Sequence, residues 1–320
     1  MTNLSYLFHV KYYDALHYSP QKTNFKSINK QLFDQSFIPI DSAKTEDHLS
    51  TFPLRVAQYP GLLVGIGNPH DAGDVTNDND EITLGFSLDY VTGLPYIPGS
   101  TVKGVLRSVF KHHKDYVFED VLSQELRALV GSAGNLWKKL GVPLFGDEKN
   151  AGSAVFFDAF PVETGNKQGR LLGPENITPH VNHKHPELTG LTEPKPLSLL
   201  KVLGGTVFCF KVDLSDAMMK IKESVKVEVE DILETFKIIL CTIGIGAKTN
   251  VGFGGMERCD CMRTVAVKYK GEEVGICRHP GCKAVPQKKK DGSYHMYCTP
   301  HFLENQGKGK SENRDEQIGR

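Results

Sequence analysis

The chain has 320 residues, 39% of them apolar, which is enough to build a sizeable core and excludes disorder throughout. Its formal net charge is +0, so no global field draws it onto a polyanion, and any such binding must come from local clusters of Lys and Arg. The first twenty residues lack the apolar core and cleavage site of a secretory signal, and nowhere do eighteen apolar residues run together; a soluble cytoplasmic protein with no membrane partner is expected.

Residues 1–55 are polar with scattered aromatics and show no sustained period, which predicts an irregular N-terminal arm that packs only in part. From Gly61 the pattern sharpens. GLLVGIG reads as a short strand closed by glycines, and TLGFSLDYV alternates Leu84, Phe86, Leu88 and Tyr90 on one face as a second. Between them NPHDAGDVTNDNDE is rich in turn residues and acids and reads as an exposed loop.

In GLPYIPGSTVKGVLRSVFKHH, Ser100 is placed to cap a helix, and Val102, Val105, Leu106, Val109 and Phe110 recur at helical spacing. Lys103, Arg107 and Lys111 fall on the opposite face, giving the helix a basic flank. Residues 119–140 read as helical pieces broken by Gly131, Gly134 and Gly141, predicting an inserted lobe at about 115–145. SAVFFDAFPV and TVFCFKVDL read as strands, with the Pro- and His-rich segment 174–196 looping between them. DILETFKIILCTI is a helix ending on glycine, followed by the loop GIGAKTNVGFGG and a last strand.

Laid in order, these elements give strand, helix, strand, strand, helix, strand. That is an α+β, ferredoxin-like (RRM-like) order with large insertions, spanning 56–263.

Two glycine-rich segments stand at helix ends: IPGSTVKGVLR and GIGAKTNVGFG. Glycine lets backbone N–H groups approach a phosphate, while Thr, Asn and Lys add donors and charge, and neither segment contains a carboxylate. Either one alone also fits a helix cap or tight turn with a solvated lysine. The second is no nucleotide-binding phosphate loop, because Ala247 precedes Lys248 and the helix comes before the loop.

The pair resembles the strand-to-helix signature and C-terminal glycine-rich loop of the RAMP superfamily of CRISPR proteins. AKTNVGFG, with NITPHVNHKHPEL and PKPLSLLKVLGGTVFCF upstream, is similar to the family of sixth subunits of type III-B Cmr effector complexes, over roughly residues 55–258. The resemblance implies a non-catalytic guide-RNA-binding subunit at the end of the filament near the 3′ part of the crRNA. Its partners would be crRNA, target RNA and other Cmr subunits, including the repeated backbone RAMP subunit. Carried onto this sequence, RNA contacts fall on Ser100, Thr101, Lys103 and Arg107, on Gly246, Lys248, Thr249 and Asn250, and more weakly on His180 and Lys184. The competing function is a RAMP-type endoribonuclease. For it, His70, Asp71, Asp74, Asp78 and Asp80 could gather a divalent metal, and the histidines at 180, 183 and 185 invite a catalytic reading, although both stretches fit solvated loops.

The remaining segment carries the most specific metal signal. After a hairpin-like TVAVKYKGEEVG, Cys277 and Cys282 form C-x4-C, and Cys298 with His301 forms C-x2-H, which fits a structural Cys3His zinc site in a small module over 264–303. His279 could replace one cysteine, and Cys259 with Cys261 are spare ligands, whereas Cys209 and Cys241 sit in apolar runs and read as core. Residues 304–320 read as a disordered tail.

Overall fold

The computed structural model describes residues 3–12, 25–35, 37, 49–65, 82–84, 86–165, 169–177, 197–221, 227–259, 267–269 and 272–274. Two compact units divide the chain, Met1–Arg258 and Cys259–Arg320. In the first, the strands are β1 (Leu49–Val56), β2 (Ile82–Leu84), β3 (Val155–Phe156), β4 (Phe160–Glu163), β5 (Leu172–Ile177), β6 (Leu197–Val202), β7 (Val207–Asp213) and β8 (Met256–Arg258). Its longer helices are α1 (Phe25–Phe33), α2 (Gly99–His112), α3 (Gln124–Val130), α4 (Ser215–Ile221) and α5 (Val229–Ile243). Among the described residues, no helix is long and apolar enough to cross a membrane.

The main sheet is antiparallel, in the order β3–β7–β1–β8, with β4 continuing beside β7. β1 lies inside it, alternating buried Phe52, Leu54 and Val56 with half-buried neighbours, as a strand covered on one face must. Phe52 faces Phe210 across the ladder, and their rings stack at 5.3 Å. Pro53 is tolerated here because the short β8 pairs only Leu54–Val56, so the missing N–H removes no bond on that side.

The periodic stripes of α2 and α5 cover one face of this sheet. Val102, Leu106, Val109 and Phe110 are buried on α2, and Ile232, Leu233, Phe236, Ile239 and Leu240 on α5. Phe110 and Phe236 meet Phe145 of the helical lobe at 5.2 and 6.2 Å, and Phe156 of β3 meets Phe236 at 5.7 Å, so lobe, helices and sheet share one core. Residues 228–231 form a capping box at the start of α5, with the Glu228 N–H donating to Asp231 Oδ2 at 2.9 Å. Gly244 ends the helix at φ 77°.

A second sheet sets β6 between β2, which is parallel to it, and β5, which is antiparallel. Leu63, Leu199 and Phe253 form a small satellite core, with Ile177 and Ala247 packed against it.

Five readings of the sequence are corrected. The described parts of 1–55 are not an irregular arm: β1 is a central strand, and Phe8, Tyr12, Phe25 and Leu32 lie in the main core. Tyr12 hydroxyl accepts the Ile82 N–H at 2.7 Å, which fastens this segment to β2. Its scattered aromatics carried no single period because separate short helices and the strand β1 present them in turn.

The described residues of GLLVGIG, 61–65, form no strand; Leu62 makes an isolated bridge to Val202, and Gly61, Leu63 and Val64 bond to other loops. TLGFSLDYV keeps ladder pairing only through Leu84, and Tyr90 sits at a turn, 84% exposed, while Phe86 and Leu88 are buried. SAVFFDAFPV is two short strands, interrupted where Phe157 bonds Lys211 and Ala159 turns to pair with Ile97. Residues 174–177, expected in a loop, complete β5, while 178–196 lie outside the described residues.

In the second unit, β9 (Val267–Tyr269) and β10 (Glu272–Val274) pair as an antiparallel hairpin. The expected zinc ligands and the tail at 304–320 lie outside the described residues.

Candidate nucleic-acid interface

The loop after α5 is built by glycines that no other residue could replace. Gly246 has φ +100°, and a Cβ there would overlap the Leu63 carbonyl oxygen; Gly254 has φ +71°, and a Cβ would overlap the Ile245 carbonyl. This close approach allows the backbone bonds that hold the loop. Ala247 N–H donates to the Leu63 carbonyl at 2.8 Å, Ile245 N–H to Gly254 at 2.9 Å and Gly254 N–H to Gly61 at 2.8 Å. Phe253 and Ala247 anchor it further in the satellite core.

On this frame the turn Thr249–Val251 is displayed outward. Lys248 and Asn250 are exposed and Thr249 is half-buried. Lys248 adopts a left-handed backbone at φ 59°, the one non-glycine residue with positive φ among those described. A lysine in this region costs about 1–2 kcal/mol relative to its ordinary conformations. It makes no ion pair with any described residue, so its charge faces solvent.

The first glycine segment is arranged differently from its expectation. The cap of α2 is Pro98, and Ser100 lies inside the first turn, exposed, without a capping side-chain bond. The carboxylate of Asp158, from the break between β3 and β4, accepts the Gly99 N–H at 2.7 Å. Thr101 and Val102 turn their N–H groups to the Pro98 carbonyl at 2.9 and 3.2 Å. Of the first-turn amides, only that of Ser100 is left outside these bonds among the described residues.

A carboxylate already occupies the positive end of the helix, where a phosphate would otherwise bind. Burial, and then the negative charges of Asp158 and Asp89, push the nearby Tyr96 phenol above its ordinary value. Thr101 and Lys103 are half-buried, and Arg107 is half-buried with its guanidinium 5.8 Å from the Trp137 ring centroid. Arg107 therefore lies on the flank of α2 against the lobe.

A run of short extended pieces ties the two segments together. Ala247 bonds Leu63, Ser87 bonds Val64 at 3.0 Å, and Tyr96 bonds Ser87 at 3.0 Å, two residues before Pro98. Three such interstrand steps span roughly 15 Å.

His180 and Lys184, the histidines at 183 and 185, and the acidic set His70, Asp71, Asp74, Asp78 and Asp80 lie outside the described residues. So do Cys277, Cys282, Cys298 and His301; among the described residues no group of three or more His, Cys, Asp or Glu could hold a metal ion. Cys259 is buried and disulfide-bonded, and Cys261 lies outside the described residues. Cys209 is buried and Cys241 half-buried; burial pushes both thiols above their usual range.

The RAMP superfamily model matches residues 56–257, more than half of the chain. This chain belongs to the RAMP superfamily. Within that superfamily it resembles the CRISPR system CMR subunit Cmr6 of Saccharolobus solfataricus, with 29% identity over 173 residues, 54% of this chain and 48% of the relative. It thus spans about half the length of that curated relative. As a RAMP protein it is also similar to a chain in the cryo-EM structure of the type III-B Cmr-beta bound to cognate target RNA, at 21% identity and TM-score 0.46, covering 73% of this chain and 70% of that one. The crystal structure of Cmr6 from Pyrococcus furiosus is 22% identical, with TM-score 0.37, over 66% of this chain and 98% of that one. The resemblance read from the two glycine segments is borne out by the superfamily match and the curated relative.

Asp158 is the site residue that the sequence reading missed. It stands 59 positions from the N–H it caps, and no local pattern marks it.

Proposed function

We propose that this chain is a non-catalytic guide-RNA-binding subunit of a type III-B CRISPR RNA-targeting effector complex. It holds the sugar-phosphate backbone of the crRNA near its 3′ part, at the end of the filament, against the repeated RAMP backbone subunit. Membership in the RAMP superfamily and likeness to Cmr6 support this reading. So does the order β1, α2, β3/β4, β7, α5, β8, with β1 between β7 and β8, which is that of a ferredoxin-like fold.

The observation that carries the proposal is Lys248: a solvent-facing cation in a left-handed conformation, at the tip of a loop pinned through three backbone bonds that its glycines allow. Strained residues persist where a function holds them. A subunit serving guides of any sequence must bind phosphate and sugar and leave base reading to pairing. Lys103, Arg107 and the hydroxyls of Ser100 and Thr101 extend the contact along α2 by side chains, since Asp158 occupies the end of that helix.

The test is RNA affinity of the full chain across single strands of unrelated sequence. Lys248→Ala lowers affinity evenly and reduces the dependence of log affinity on log salt by roughly 0.7. A loss that depends on base sequence overturns backbone gripping. In the second unit, Cys277, Cys282, Cys298 and His301 hold a structural zinc, their number and spacing suiting a closed tetrahedral site.

A further inference from the structure

Beside the glycine loop stands an aromatic ring that backbone gripping does not use. Tyr59 is 83% exposed, although tyrosine rings are ordinarily buried in large part. The backbone on either side of it is fixed. Ala57 N–H donates to Gly255 at 2.8 Å, Gly205 N–H to Val56 at 2.8 Å and Gly254 N–H to Gly61 at 2.8 Å. Gly204 presses so closely on Gln58 that no side chain fits between them. The exposed ring therefore projects from a rigid turn.

Lys201 Nζ lies 6.0 Å from the ring centroid, held there by Glu175 at 2.7 Å. With the ammonium on one side, the exposed remainder of the ring meets solvent. Pro60, the next residue, packs on the loop itself: a Cβ on Gly252 would lie 3.4 Å from Pro60 Cδ. Gly252 closes the turn that displays Lys248 and Asn250. Ring and cation thus share one ledge.

We infer that Tyr59 is a stacking platform for one unpaired nucleobase of the strand whose backbone is held at Lys248; the inference rests on that gripping reading. Every base has a π-face, so a stacked base is accepted whatever its identity, as a guide of arbitrary sequence requires. A ring with two side-chain torsions on a fixed turn loses little freedom when it stacks. Lys201, ion-paired to Glu175, supports the ring from the side and leaves phosphate neutralisation to Lys248. The neighbouring Val251, 69% exposed, would suit a protein partner instead, and the same experiment separates the two.

The probe is single-stranded RNA carrying 2-aminopurine, mixed with the full-length protein and read by anisotropy and by quenching of the base fluorescence. Tyr59→Ala is expected to lower affinity roughly tenfold and abolish quenching, whereas Tyr59→Phe and Tyr59→Trp retain both. On RNA made abasic across the bound stretch, Tyr59→Ala and wild type are expected to bind alike. Wild-type affinity in Tyr59→Ala, with loss in Lys248→Ala, overturns the stack while the grip stands, and leaves the ring to a protein contact. An undiminished Tyr59→Ala defect on abasic RNA overturns it too. If neither variant changes affinity, the gripping reading fails and the stack falls with it.

Discussion

Replacing Lys248 by glycine separates what the backbone at this position costs from what the side chain supplies. The lysine sits at φ 59°, ψ 35°, a conformation that glycine adopts without penalty. Relief of the left-handed strain is worth about 1–2 kcal/mol, against which the greater freedom of glycine in the unfolded chain takes back about 0.5–1 kcal/mol. The net expectation is a protein more stable by about 0.5–1 kcal/mol, read by denaturant titration or as a rise in Tm of about 2–3 °C for a unit of this size.

RNA binding moves the other way. Removing one phosphate contact lowers the salt slope by roughly 0.7, so the advantage of wild type over Lys248→Gly shrinks roughly 2.6-fold between about 50 and about 200 mM salt. Lys248→Ala keeps the strain and loses the charge, so it should match Lys248→Gly in RNA affinity but not in stability. A glycine variant that is less stable than wild type, or that binds RNA with an unchanged salt slope, refutes the reasoning.

Gly254→Ala should destabilise the first unit by about 3 kcal/mol, since it adds both positive-φ strain and a clash with the Ile245 carbonyl; thermal unfolding reads it. Asp158→Ala should cost about 1 kcal/mol by leaving the Gly99 N–H uncapped. Asp158→Asn keeps an acceptor for the Gly99 N–H and removes the charge, so RNA affinity should rise by a factor of about two to five as the negative charge that repels phosphate at the start of α2 is lost; an unchanged affinity would place that helix end away from the strand. Metal analysis of the purified chain should find about one zinc, and chelation should loosen the second unit alone, as coupled metal binding and folding requires.

The helices were legible because their signals are local. The buried stripe of α2 recurs at helical spacing, with Val105 partly covered, and Gly244 stops α5 where the apolar period ends. β1 was not legible. Pro53 argues against a central strand, and only the short reach of β8 makes it harmless there. GLLVGIG misled in the opposite sense: its residues are as apolar as a strand's, but beyond one bridge from Leu62 to Val202 of β6 its described residues bond to separate loops.

The site divides along the same line. Glycine content alone determined that residues 244–254 form a tight loop carrying Lys248, because positive φ and close backbone approach exclude other residues wherever they occur. That Asp158 would fill the start of α2, that Trp137 would lie under Arg107, and that Tyr59 would stand exposed beside Lys201 were decided only by tertiary structure. Each depends on a partner tens or hundreds of positions away, and the pairing of distant groups follows from how the sheet and helices close on their common core, which no local pattern encodes.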